Sequence, residues 1–472
     1  MFKDFSEAAS YVKDQKIKMV DLKYCDFWGK WHHVTISPTE FTPSLMTSGV
    51  GFDGSSVGLR SVKSGDMALI PDLQTGFIDP FWEMPTLSFL CNTVEAESKN
   101  PFNRDPRLIA KKAEKFLLTS GVADESRWGP EFEFYIFDKA SYENTCNSAG
   151  YKFDSDSAVW NSGNNQQAYQ LPLHGGYHAI PPADRYFDIR SKIVTELENI
   201  GIPIKYHHHE VGGPGQCEIE TPMLSILSAA DAVMCIKYFT RMVAFREGKV
   251  ATFLPKPLFG EAGNGMHFHI QLLRTSNNLF YEAFTPSSLS ENALFFIGGL
   301  LTHAPSVLAW TNPTTNSYRR LVPGYEAPTS CIFSRGNRSA AIRIPAYATK
   351  ANQVRFEFRP PDATCNPYLA MSAMLLAGID GIIKKIDPSR AGFGPINEDI
   401  FTWSAEKRAT IKSLPCSLLE AVLALESDHQ YLLAGDVFDK EMINDWISTK
   451  RNEDDDLRKR PHPFEIQRYF DL

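Results

Sequence analysis

"HHHEVGGPGQCEIE", His207–Glu220, gathers three histidines and three glutamates around a glycine-proline-glycine bend. As a hairpin closed by the three-residue loop Gly213–Gly215, it places Glu210 opposite Glu218. Directly opposed side chains in an antiparallel pair have β-carbons roughly 4.5–5.5 Å apart. Two like charges so placed destabilise a sheet unless a cation lies between them or both face water. One hairpin does not choose between those outcomes.

Three further stretches do. "GPEFEFYIF" (129–137) puts Glu131 and Glu133 on one face and Phe132, Phe134 and Ile136 on the other, because successive strand side chains point to opposite sides. "GMHFHIQLL" (265–273) sets His267 and His269 on one face. "VRFEFRPPD" (354–362) sets Arg355, Glu357 and Arg359 against Phe356 and Phe358. Four strands with functional side chains on a single face predict one shared site. Carboxylates with at most one imidazole suit Mg²⁺ or Mn²⁺ rather than zinc or copper. Five glutamates and one histidine exceed the needs of one ion, so a two-ion site is expected, of the kind that bridges phosphate oxygens.

From Ala327 to Phe356 there is no Asp or Glu, although the chain carries 56 acids and 48 bases. Arg335, Arg338, Arg343, Lys350 and Arg355 all fall there. Guanidinium groups bind phosphate and carboxylate in bidentate fashion. Beside a metal–carboxylate site this stretch points to an anionic substrate and a transferring phosphoryl group. Just before it, Pro323-Gly324 marks a turn and Glu326 lies on a loop, which is either passive or a lid.

The whole chain bounds these readings. Its 472 residues favour two or more domains. A formal net charge of −8 and a pI of 5.9 argue against nucleic acid as the main partner. The apolar run Asn366–Ile379 is too short to span a membrane, and the amino terminus lacks a signal-peptide core. Eight scattered cysteines without CxxC spacing suit free thiols in a reducing, cytoplasmic setting. Residues 4–16 read as a helix, and Lys18–Ile36 as two strands joined at Phe27–Lys30. Pro101, Asp105 and Pro106 mark a boundary and a helix start. The expectation is an α+β protein with a small strand-rich domain (1–102) and a large domain (103–472). Helices are expected near 185–200, 225–248, 291–304, 366–385 and 417–425, and "RNEDDDLRKR" (451–460) as a solvated face.

The ordered motifs "FDGSS" (52–56), "GPEFEF", "HHEVGGPGQCEIE", "GNGMHFH", "NSYRRLVPGYEAP", "SRGNRSAAIRIP", "RFEFRPPDATCNPYLAMSAMLLAGIDGI" and "RPHPFEIQRYF" closely resemble bacterial type I glutamine synthetase over nearly the full chain. The resemblance implies an N-terminal β-grasp-like domain and a catalytic domain with an antiparallel sheet flanked by helices. It implies ATP-dependent ligation of ammonia to the γ-carboxylate of L-glutamate through γ-glutamyl phosphate. One ion would be held by Glu133, Glu210 and Glu218, the other by Glu131, His267 and Glu357. Arg338, Arg343 and Arg359 would contact the transferring phosphate. Arg320 and the backbone near Gly263 would bind glutamate, and Tyr177, His269, Lys350 and Arg355 would bind ATP. Glu326 would act on a mobile flap. Asp53 and Ser56 would supply the ammonium site of a neighbouring subunit, in a dodecamer of two hexameric rings joined by tails from His462 onward.

Some positions depart from the family pattern. Ala262 stands where some relatives carry asparagine, and Gln271 where a serine is common. Some relatives are adenylylated on a tyrosine after the "AGIDGI" helix. No tyrosine lies between Leu369 and Gln430 here, and the matching segment offers Phe401. A γ-glutamyl-amine or polyamine ligase is the nearest rival, and a catalytically inactive relative the next. The intact Asp53 and Ser56 argue against the first, and six retained metal-ligand positions against the second.

Overall fold

The computed structural model describes residues 2–59, 65–161, 167–324, 327–398 and 400–472. Glu326 therefore lies outside the described residues.

The N-terminal part is a six-stranded sheet in the order Trp31–Ile36, Met19–Cys25, Thr86–Glu95, Asp66–Pro71, Val50–Asp53, with Phe77–Ile78 also paired to Thr86–Glu95. The two strands expected within Lys18–Ile36 are present as an antiparallel pair, and Met19–Cys25 runs parallel to Thr86–Glu95. The expected first helix forms over Phe5–Asp14, its amino end closed by the Asp4 side chain.

The large sheet has ten strands among the described residues, in the order Tyr206–His209, Gln216–Glu220, Glu125–Phe137, Met266–Arg274, Phe356–Phe358, Ala340–Ile344, Ser330–Arg335, with three short strands paired to its centre. It is antiparallel except between Ser330–Arg335 and Ala340–Ile344, which run parallel. The alternation read from the sequence is realised. Trp128, Phe132, Phe134, Ile136, Phe268, Phe356 and Phe358 are buried in one continuous core. The opposite face carries the acids and imidazoles.

Helices cover the apolar face, including Ile226–Arg246, Glu291–Thr311 and Pro367–Lys384. The second runs seven residues past the expected end at 304, straight through Pro305. Proline removes one backbone donor, but Val307, Leu308 and Trp310 beyond it are fully buried, and that burial outweighs the lost bond. Glu291–Thr311 and Pro367–Lys384 are long and apolar enough to cross a membrane, yet 78% of each apolar window is buried inside the protein. They are core helices. They cross where a β-carbon on Gly299 would lie 2.3 Å from the Ala377 carbonyl oxygen, so only glycine fits.

Buried polar clamps join the two sheets. Arg107, on the Asp105-capped helix Pro106–Thr119, donates to Asp72 and Asn92 on one side and Asp231 on the other. Asn366 donates to the carbonyls of Asp26 and Phe27. Trp28 stacks on Trp446 at 5.4 Å.

The opening hairpin differs from its expected register. His208, not Glu210, stands opposite Glu218, and the Glu210 amide donates to the Gln216 carbonyl. The bend is wider because Gln216 closes it from inside. Its side-chain oxygen accepts from the Gly212 amide at 2.8 Å, and its own amide donates to the Gly212 carbonyl. The slip is two residues, and strand faces repeat every two, so Glu210 and Glu218 still share a face.

Candidate active site

Adjacent strands bring the functional faces into register. Glu131 pairs across from His267 on one side and Glu220 on the other, Glu133 from Glu218, and Glu357 from His269 and Arg343. Two groups of ligand atoms converge, each within 4.8 Å: Glu131, His267 and Glu357 in one, His208, Glu210 and Glu218 in the other. The first is the set expected from the sequence. In the second, His208 stands where Glu133 was expected, with its imidazole 3.5 Å from Glu210 and 3.2 Å from Glu218. Glu133 instead accepts from the Gly265 amide and lies 3.9 Å from His267 Nε2, between the two groups. The even spacing of His208, Glu210 and Glu218 could have revealed the histidine.

The electrostatics differ across the site. Burial favours a neutral Glu131, but the neighbouring His267 and His269 imidazoles hold its carboxyl well below the usual range. Burial and the charges of Glu131, Glu210 and Glu133 push Glu218 well above it. Glu357 is fully buried, yet Arg359 and Arg343 bring it down to about 2. Its two carboxylate oxygens each meet a guanidinium nitrogen at 2.5 Å. The Glu210–Glu218 side is thus short of positive charge. His267 Nδ1 is buried without a hydrogen-bond partner, 3.7 Å from Glu131 and 3.4 Å from Glu357. An unpartnered imidazole nitrogen facing two carboxylates, near an acid whose pKa its neighbours' charges push up, fits divalent cations.

A cavity of about 400 Å³ opens on this face, lined by Glu133, Glu210, Gly263, His267, Arg320 and Arg359 among others. Arg320 is buried and donates to the Pro360 and Arg359 carbonyls at 2.8 and 3.2 Å and to His267 Nε2 at 3.2 Å. A β-carbon on Gly263 would lie 2.5 Å from the Pro255 carbonyl oxygen and 2.8 Å from Arg320 Cγ, so the loop must have glycine there. Gln216 braces that loop, donating to the Gly263 carbonyl and Asn264 at 3.0 Å each. Gln216 was not singled out from the sequence, since an amide after a glycine turn carries no signal of its reach.

The remaining expected residues are placed as follows. His269 Nε2 is 3.4 Å from Glu131 and 3.7 Å from Glu220. Arg359 Nε donates to the Arg338 carbonyl. Tyr177 is exposed, stacked on His178 and edge-on to His208 at 5.5 Å. Arg355 lies over the exposed Tyr347 ring, and Lys350 is exposed on the same segment. Asp53 accepts from the hydroxyls of Ser55 and Ser56 at 2.7 and 2.6 Å. Neither Asp53 nor Ser56 lines the cavity of its own chain.

Comparison with known proteins agrees with this architecture. Residues 16–96 match the family model described as glutamine synthetase, beta-Grasp domain, and residues 103–469 that of glutamine synthetase, catalytic domain. The chain is 43% identical to the glutamine synthetase of Streptomyces filamentosus over the whole of both chains. It is 44% identical to that of Mycobacterium tuberculosis over 98% of each. Among solved structures it is similar to a Plasmodium falciparum glutamine synthetase, with a TM-score of 0.89 and 29% identity over 99% of each chain. It is also similar to a GmaS/ADP complex, with a TM-score of 0.82 and 26% identity over 100% of each.

A β-grasp sheet joined to an acid- and imidazole-bearing catalytic sheet, with these matches, defines an ATP-dependent, divalent-metal-using ligase. The chain belongs to the glutamine synthetase family. It joins ammonium to the γ-carboxylate of L-glutamate, consuming ATP and passing through γ-glutamyl phosphate.

Proposed function

We propose that the two ligand groups on the catalytic sheet hold a pair of Mg²⁺ or Mn²⁺ ions, and that the chain's arginines and loops organise glutamate and ATP around them. Glu131, His267 and Glu357 would hold one ion. Glu210 and Glu218 would hold the other, with Glu133 or His208 as the third ligand. Bound ions would neutralise phosphate oxygens and offset the charges that push Glu218 up. The observation that carries this reading is the convergence of two three-ligand groups beside an arginine-lined cavity.

The chain's own groups do the positioning. Arg320, fixed by backbone carbonyls, offers a guanidinium to the glutamate carboxylate, and the Gly263 backbone approaches the amino group. Arg338, Arg343 and Arg359 meet the phosphate, two of them already held by Glu357. Donors fixed before the reaction need no reorganisation when charge develops. Tyr177, His269, Lys350 and Arg355 contact the nucleotide. Glu326 closes over the intermediate, which excludes water from a labile acyl phosphate. Asp53, kept ionised by the Ser56 and Ser55 hydrogen bonds, binds ammonium with Ser56 in an adjacent subunit and takes its proton.

That arrangement requires an oligomer, and we assign a dodecamer of two hexameric rings in the cytoplasm, with 1–102 as the ammonium-donating domain and 103–472 as the catalytic one. Support comes from the tail. The helix Pro463–Tyr469 has no buried residue, and Phe464, Ile466, Tyr469, Phe470 and Leu472 are all exposed. Five large apolar groups in one short solvated segment suit insertion into another chain.

Glu357→Gln keeps the shape but removes the charge that fixes Arg343, Arg359 and an ion. Phosphate release dependent on ATP, glutamate and ammonium should fall on the order of 10²–10³-fold, with weaker Mn²⁺ binding. Unchanged turnover and Mn²⁺ affinity would remove Glu357 from the assignment.

A further inference from the structure

A second cavity, of about 510 Å³, lies between the two sheets and shares no lining residue with the active-site cavity. Gly29, Lys30 and Trp31 form its N-terminal wall. Lys237, Tyr238 and Arg241 project from the helix Ile226–Arg246, and Thr252–Leu254 and Ala363–Thr364 complete it. Among the described residues, three cations line it and no carboxylate does. Lys237 and Arg241 are one helical turn apart, where like charges repel. Lys237 Nζ donates to the Ala363 carbonyl at 2.6 Å, which satisfies a proton but not the charge. The Arg241 guanidinium lies 5.5 Å from the Phe253 ring centre and has no ion pair with any described residue. Burial, with Arg241 adding to it, pushes the Lys237 ammonium down to about 8. Lys237 is buried, with the Asp362 carboxylate only partly offsetting its lost water, while Arg241 remains exposed at the cavity.

We infer that this cavity is a second ligand site that takes a small organic anion. Its carboxylate or phosphate would sit among Lys30, Lys237 and Arg241, and its apolar body against Trp31 and Phe253. Volume and lining suit a small molecule: an aromatic wall on two sides and a few convergent donors. Tyr238 adds rigidity, with its hydroxyl committed to Asp79 at 3.0 Å and its ring 5.8 Å from that of Trp31. The site also abuts the active-site loop. Leu254, in the wall, accepts from the Asn264 side chain at 2.9 Å, and Pro255 accepts from the Asn264 amide at 2.7 Å. Asn264 follows Gly263, so a ligand here presses on backbone that the glutamate pocket uses.

The test is calorimetric titration of the full-length oligomer with phenyl phosphate and, separately, phenylacetate. Saturating Mg²⁺, ADP and L-glutamate keep the active site filled. At least one probe should bind the wild type. Its affinity should fall about tenfold or more in Arg241→Gln and in Lys30→Gln. The probe that binds tells phosphate from carboxylate. Lys30 is exposed on a loop, so its variant carries the test if Arg241→Gln does not fold. Absence of binding by both probes, or binding that survives both cavity substitutions, would overturn the proposal. So would a wild type deaf to both probes whose oligomer dissociates on Arg241→Gln, since a neighbouring chain would then occupy the cavity.

Discussion

At the residue scale the site depends on paired opposites. Glu357 is fully buried, and two guanidinium groups keep it charged where burial alone would neutralise it. Arg320 occupies the reverse position, a buried cation held by carbonyl oxygens and the His267 imidazole. Arg320→Lys keeps the charge but loses the planar fork. Steady-state kinetics should show KM for glutamate rising about 10–100-fold with a smaller change in kcat. Equal losses in kcat and kcat/KM would place Arg320 on the transferring phosphate instead. Most of these residues were legible from strand parity, because charged groups two apart on a phenylalanine-backed strand have one place to go. Parity does not resolve partners. It separated Glu131 from Phe132 but could not tell whether Glu133 or His208 completes the Glu210–Glu218 group. That choice depends on side-chain reach, and Glu133 is drawn aside by the Gly265 amide.

At the scale of elements, the helices that support the sheet are tied by a buried cluster with its own pH dependence. His303, in Glu291–Thr311, contacts Asp380 at 2.9 Å and Asp428 at 2.8 Å. Burial alone would lower its pKa, but the two carboxylates raise it above the usual value. A folded-state pKa above the unfolded one stabilises fully below pH 6.5, and the benefit fades as pH rises through the folded value. His303→Gln should therefore cost about 2 kcal/mol at pH 6, and the gap to wild type should narrow by pH 9, as read from thermal melts at both. A gap constant with pH would mean that His303 acts through packing alone. Helix positions were legible from apolar periodicity and capping, as at Asp105 and Pro106. The extension past Pro305 was not, because a local rule against internal proline yields to burial that only the folded chain reveals. The parallel pair Ser330–Arg335 and Ala340–Ile344 was hidden for the same reason, since pairing direction leaves no trace in alternation. The hairpin Lys139–Asn144 with Ala149–Asp154 is largely exposed and lacks the apolar face that marked the others.

At the scale of the molecule, the sheets are locked together by Arg107, Asn366 and the Trp28–Trp446 stack, while Asp53 and Ser56 of the proposed ammonium site do not line their own chain's cavity. Removing residues 461–472 should leave the fold and its melting temperature intact, because Pro463–Tyr469 buries nothing in its own chain. Sedimentation should show the assembly halved to single rings. A truncated chain that keeps its full size would dismiss the tail as the ring-to-ring link. The contacts between sheets were beyond sequence reading, since Arg107 reaches residues 124 and 35 positions away. The proposed chemistry rests on a pair of cations caged by acids from separate strands. Anomalous diffraction at the manganese edge, from crystals grown with Mn²⁺ and ADP, tests it most directly. Two peaks per chain are expected, one among Glu131, His267 and Glu357, the other against Glu210 and Glu218. No peak at either group, or manganese bound only elsewhere, would contradict it.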